Sequence, residues 1–370
     1  MFTQIPVEII HLIVESVDLL QRARIMMTCC YFRQVLEPTL YRHLSLLNPE
    51  CYSRSSRLHQ TLHDRPALLS QIVTYRGPIF PHMDDVSDEG SDAELPRKRR
   101  MYEDPRLYVS LTIFEGAVNI RDLEFTDYFE RWTVNFIWKS QKEAISRMVL
   151  DQLVMDVPNE SFDVVQVLRN QPELTRLELP WPGGGGGWKN LEAKDIPKLK
   201  SLSAKLEIAA LIVPGRPVDE VNLLSSEGGR RLDEDLLQRL SESTRPIRKF
   251  GTKLYIPFHE ESVRGVLKTL SRYLPDLEAL TISVKGKISG RMLLSELPAF
   301  PSIVSLTLLG ASLVNTLSST TPEELSPLVN PLLPNNTDNP DSWADLEYHL
   351  RKRCPKFTTL GRSTTVNNLD

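Results

Sequence analysis

The feature that most constrains this chain is a short apolar pattern, L-x-x-L-x-L, that returns at near-regular intervals. It is carried by Ile120, Leu123 and Phe125, then by Leu150, Leu153 and Met155, and then by Leu174, Leu177 and Leu179. Further members are Leu199, Leu202 and Ala204; Val218, Val221 and Leu223; Leu277, Leu280 and Ile282; and Ile303, Leu306 and Leu308. Ile247 and Phe250, leading into Leu254 and Ile256, form a weaker member, and Phe357 with Leu360 is the last. The alternation in the second half of each unit is the period of a strand with one buried face. Central positions from Leu123 to Leu306 are separated by 19 to 30 residues. The final gap of 54 residues to Leu360 has the length of about two repeats and spans a Pro- and Asn-rich insertion at 322–340.

Helical returns are expected between the strands, at Phe162–Asn170, Asp233–Ser241, Glu260–Tyr273 and Ser342–Arg353, where apolar residues recur at helical spacing. Pro172, Pro197, Pro217, Pro275, Pro301 and Pro355 each precede a strand, where proline stops a helix and favours extended chain. This helix–proline–strand rhythm predicts an α/β fold, a degenerate αβ solenoid. The pattern resembles that of leucine-rich repeats, without the asparagine that usually follows the strand. Residues Leu68 to Tyr75 read as an irregular first unit. Alternate strand residues and adjoining loops offer a target surface with Arg121, Arg176, Glu178, Lys200, Glu278 and Ser305 as candidates, of mixed charge.

The first 45 residues follow a different pattern. Pro6 suits the first turn of a helix, along which Ile9 and Ile13 line one side and Ile10, Val14 and Val17 another. Asp18 with Gln21 reads as a capping box for a second helix. A third is expected from about Cys30 to Leu36, ended by Pro38. Three short helices make few mutual contacts, and apolar residues on more than one face of the first predict that a partner supplies part of the burial.

This run resembles the F-box family. The resemblance rests on Ile5, Pro6, Glu8, Ile9 and Ile10, then Asp18, Leu19 and Leu20, then Met27 to Phe32, and closes on Pro38, Leu40, Tyr41 and Arg42. Ile5 replaces the usual Leu, and Cys30 and Tyr31 stand where basic residues are common. The resemblance implies a three-helix module that binds Skp1 and through it a cullin–RING ubiquitin ligase, with the repeats holding a target protein. By match to the motif, Ile5, Pro6, Ile9, Ile10, Ile13, Leu19, Leu20, Met27 and Phe32 contact Skp1 or form that surface. The alternative is a leucine-rich-repeat interaction scaffold with no ligase role.

The remaining features point away from other classes. A net charge of −4 gives no basic field for nucleic acid. Cys29, Cys30, Cys51 and Cys354 form no CxxC pair, which fits a reducing compartment, the cytosol or nucleus. No stretch reaches 18 uninterrupted apolar residues, so no membrane span is expected. His59 and His63 have a metal-pair spacing but read as partly exposed helix residues. The Gly183–Gly187 run lacks the lysine and hydroxyl of a phosphate loop, and Tyr128, Phe129, Trp132, Phe136 and Trp138 read as packing residues. No catalytic constellation and no cofactor motif is present, so the chain is expected not to be an enzyme. Residues Asp84–Glu94 are acid-rich and precede Arg97, Lys98, Arg99 and Arg100, a solvated insertion whose basic cluster also has the form of a nuclear-import signal. The expected organisation is an F-box-like domain at 1–46, a linker helix and irregular repeat at 47–81, a disordered insertion at 82–105, and a divergent repeat domain at 106–370.

Overall fold

The computed structural model of the protein describes residues 5–47, 52–78, 105–126, 139–156, 164–180, 186–224, 233–252, 260–314 and 342–363. The chain forms two compact units, Met1–Ile196 and Pro197–Asp370.

In the first unit five strands, β1 (His43–Ser45), β2 (Thr74–Pro78), β3 (Asp122–Thr126), β4 (Gln152–Asp156) and β5 (Arg176–Glu178), lie side by side in chain order. Every pairing is parallel, with Leu44, Tyr75, Leu123, Leu153 and Leu177 as successive partners. The second unit repeats the arrangement with β6 (Ser201–Ala204), β7 (Glu220–Leu223), β8 (Lys249–Thr252), β9 (Ala279–Ser289), β10 (Ser305–Val314) and β11 (Thr359–Ser363). There Leu202, Val221, Phe250, Leu280, Leu306 and Leu360 are the partners. The central residues of the sequence pattern are therefore stacked one on another. The flanking apolar residues follow, with Ile120, Phe125, Leu150, Met155 and Leu174 buried in one unit and Leu199, Val218, Leu277, Ile303 and Phe357 in the other.

Parallel strands need a crossover, and short helices supply it. In the first unit α4 (Tyr52–Asp64) and α5 (Pro105–Gly116) precede β2 and β3. Phe114 of α5 packs on Tyr75 and Phe125, with ring centroids 5.9 and 5.5 Å apart, so the buried face of the sheet is the helix side. Further returns are Lys139–Arg147, Val164–Arg169, Leu206–Ile212, Glu234–Leu240, Glu260–Tyr273, Gly290–Glu296 and Trp343–Arg353. Asp233 and Ser342 cap two of them by accepting backbone N–H bonds, which accounts for where these helices begin. Four of the returns coincide with the sequence expectation to within two residues.

A second regularity is in the backbone. At most turns into a strand, one carbonyl accepts two N–H groups from the next repeat. The Arg42 carbonyl takes those of Val73 and Thr74, that of Val73 takes Arg121 and Asp122, and that of Arg121 takes Asp151 and Gln152. The same device runs through Lys200, Asp219, Arg248, Glu278 and Val304. It satisfies turn donors that a strand ladder alone would leave unpaired.

Three expectations change. Pro38 lies inside a helix instead of ending it, since the third N-terminal helix continues to Tyr41. Proline forfeits one intrahelical bond, and the fully buried Leu36 before it and Leu40 after it pack on the same core. The segment that closes the F-box pattern also begins the sheet, because Leu44 and Leu46 are buried and β1 pairs with β2. The 54 residues before Leu360 hold one repeat with an insertion, because β10 pairs directly with β11. The insertion expected at 82–105 lies outside the described residues except for Pro105, which opens α5. Arg97–Arg100, the aromatic set Tyr128–Trp138, residues 322–340, and Leu254 and Ile256 also lie outside them.

Gln171 joins adjacent repeats. Its side chain is fully buried, accepts from Leu150 N–H at 2.9 Å, and donates to the carbonyls of Ile145 and Met148 at 2.8 and 3.1 Å. Gln171→Leu strands the Leu150 N–H and the Met148 carbonyl, while the Ile145 carbonyl keeps the Met148 N–H, and it is expected to lower stability by about 2–3 kcal/mol in urea unfolding. The exposed neighbour change Asn170→Ala should stay within about 0.5 kcal/mol.

Candidate functional site

Two surfaces stand out, one at the N-terminus and one on the open face of the sheet. The N-terminal helices are α1 (Val7–Glu15), α2 (Leu19–Met26) and α3 (Cys30–Tyr41). Pro6 precedes α1, and its carbonyl accepts the Ile9 and Ile10 N–H groups at 3.1 and 3.2 Å. Asp18 caps α2 by accepting from the Gln21 N–H at 2.8 Å. Cys29 Sγ accepts from the Phe32 N–H at the start of α3.

These helices enclose a small core of Ile10, Val14, Met26 and Leu36, against which Ile5, Val17, Ile25, Tyr31, Phe32, Val35 and Leu40 pack. The Tyr31 hydroxyl donates to the Ile5 carbonyl at 3.2 Å, tying α3 to the chain start. That core uses only one side of α1. The other side exposes Ile9 (45%), Leu12 (63%) and Ile13 (52%); Val7 (41%) is exposed at the first turn, in line with Ile10 and Val14, and Met27 after α2 is 75% exposed. Scattered exposed apolar residues are ordinary, but four on one nine-residue helix are not.

The sequence-derived set divides accordingly. Ile10 is internal, Ile5 and Phe32 are half-buried supports, and Pro6 is exposed at the helix start. Ile9, Ile13 and Met27 are surface. The side chains of Leu19 and Leu20 lie outside the described residues. Val7 and Leu12 were not in the set, although Leu12 falls three residues after Ile9 and so near its face.

The N-terminal helices are joined directly to the first repeats. Arg65, at the end of α4, forms a two-pronged ion pair with Glu37 of α3. The bond from Arg65 holds the Glu37 carboxyl below its ordinary value, against the opposing effect of burial.

On the open face, one column of outward residues in the first unit runs His43, Thr74, Asp122, Gln152, Arg176, and the next runs Arg76, Glu124, Val154, Glu178. These groups largely satisfy one another. His43 Nδ1 lies 3.0 Å from Thr74 Oγ1, which donates to Asp122 at 3.3 Å, and ion pairs join Arg76 to Glu124 and Arg176 to Glu178. Burial, with Arg42 next in effect, lowers the His43 pKa. In the second unit Glu220 and Lys249 pair at 3.5 Å, after which the outward residues Ala279, Thr281, Ser305, Thr307, Thr359 and Gly361 are small and uncharged. Of the candidate target-surface residues, Arg176, Glu178 and Ser305 are on this face. Arg121, Lys200 and Glu278 occupy the turns whose carbonyls accept two N–H groups.

Among the described residues, no group of three or more His, Cys, Asp or Glu side chains is placed to hold a metal ion, and no helix is long and apolar enough to cross a membrane.

No family model and no curated protein matches the chain. Solved structures similar to it include internalin C2 of Listeria monocytogenes, at 12% identity and a TM-score of 0.32 over 68% of this chain and 83% of that one. A Bacteroides fragilis protein aligns at 13% identity and a TM-score of 0.39, over 87% of this chain and 73% of the other. The repeat architecture rests on the strand order and register of the chain itself.

The Glu37–Arg65 pair gives a pH-dependent expectation. A carboxyl whose folded pKa is lowered adds stability above its unfolded value, and that stability is lost as pH falls through the folded one. Glu37→Gln should therefore destabilise the protein at neutral pH. In thermal unfolding from pH 7 downward, the difference from wild type should shrink below the ordinary glutamate value of 4.5.

Proposed function

We propose that this chain is a non-enzymatic adaptor. In this reading α1–α3 dock Skp1, and through it a cullin–RING ubiquitin ligase, while the open face of the repeats holds a target protein. The observation that carries the reading is the apolar outer face of α1. The helix has already buried Ile10 and Val14 against α2 and α3, yet on its outer face it presents Ile9, Leu12 and Ile13 to solvent. A docked partner would bury that patch, which has the apolar centre expected of an interface hot spot. The F-box-like order of residues around it is what names Skp1 as the partner. Catalysis would then reside in the ligase components.

A second reading is favoured by a separate observation. The end of α3 passes straight into β1, so the N-terminal helices lead directly into the first strand of the sheet. A repeat scaffold whose N-terminal helices only close the first repeat would share this feature, and would not bind Skp1.

The two readings separate on exposed positions. The change Ile9→Asp with Ile13→Asp alters side chains outside the core and leaves β1 in place. In co-expression with Skp1 followed by size-exclusion chromatography, the wild type is expected to form a 1:1 complex. The double variant should lose about 2 kcal/mol or more of binding with its thermal unfolding unchanged. Undiminished co-purification of the variant would sink the adaptor reading, and no complex with wild type would leave the scaffold. Ile10→Asp, by contrast, should unfold the N-terminal helices.

A further inference from the structure

A cluster unrelated to the docking patch lies on α4, where His59 and His63 stand four residues apart. That spacing places both side chains on one helix face, and their rings are 6.2 Å apart between centroids at an interplanar angle of 45°. Each imidazole has a neighbour that restricts it. His59 packs against the Tyr108 ring of α5 at 5.7 Å. His63 Nδ1 lies 3.5 Å from Asp64 Oδ1, and Gln60 Nε2 holds the same carboxylate oxygen at 2.7 Å. A carboxylate near Nδ1 favours the tautomer protonated there, which leaves the Nε2 lone pair for a metal ion. The His63 side chain is 72% exposed, so the approach is open.

We propose that His59 and His63 form a two-imidazole chelate for a divalent transition-metal ion. Two histidines at this spacing on one helix face are the first two ligands of zinc hydrolase helices, in which the residue after the first histidine is the glutamate general base. Here that residue is Gln60, which cannot take a proton, and it is turned to Asp64. The site therefore binds without hydrolysing. No third His, Cys, Asp or Glu among the described residues completes the shell, so water fills the other positions and the ion stays exchangeable. Imidazole donors select copper, nickel and zinc over magnesium or calcium, with copper the tightest.

The test is isothermal titration of the full chain with copper(II), nickel(II) or zinc chloride in a non-coordinating buffer, alongside His63→Ala, His59→Gln and the control His349→Ala. Saturable binding with copper tightest is expected, weakened about tenfold or more in both α4 variants and unchanged in the control. His63 is exposed, and circular dichroism of His63→Ala checks that the fold is intact. Absence of saturable binding, or binding by both α4 variants equal to wild type, overturns the proposal.

Discussion

A single carbonyl at the turn into most strands does much to fix the structure. By accepting two N–H groups from the next repeat, it sets the height at which that strand begins. The apolar positions then fall opposite one another: Leu123 against Leu153, Leu280 against Leu306. A shift of one residue would turn each apolar column out to solvent and bring the column of Arg76 and Glu124 in, which is costly enough to exclude. Local irregularity is tolerated once the register is set. Between Leu309 and Ala311 the β9–β10 ladder shifts, and Gly310 adopts φ 71° there, a conformation that suits glycine.

The repeat strands were legible because each combines an alternating apolar pattern with a preceding turn, and parallel packing buries the apolar side of every strand. β1 was hidden for a specific reason. Tyr41, Leu44 and Leu46 fit the repeat pattern, but they overlap the end of the F-box-like run and were absorbed into it. The helix Leu206–Ile212 was missed because Ile208, Ala209, Ala210 and Ile212 are all buried, so no periodicity marks it. Gln171 is out of reach of any pattern, since its role depends on a cavity formed by the preceding repeat.

The N-terminal surface was legible in part. Sequence placed apolar residues on more than one face of α1 and drew from this the need for a partner. It did not separate Ile10 from Ile9 and Ile13, because that division depends on where α2 and α3 lie. Likewise the spacing of His59 and His63 was visible, whereas the neighbours that orient their rings come from Asp64 and from α5.

The joint between α3 and β1 bears on how the chain can be divided. A fragment beginning after residue 46 would leave β2 as an uncovered edge, with a row of unpaired backbone groups along Thr74–Pro78. An unprotected parallel edge is a template for pairing with another chain. Such a fragment would tend to self-associate into aggregates, so a proteolytic cut near that point would threaten solubility as well as partner binding.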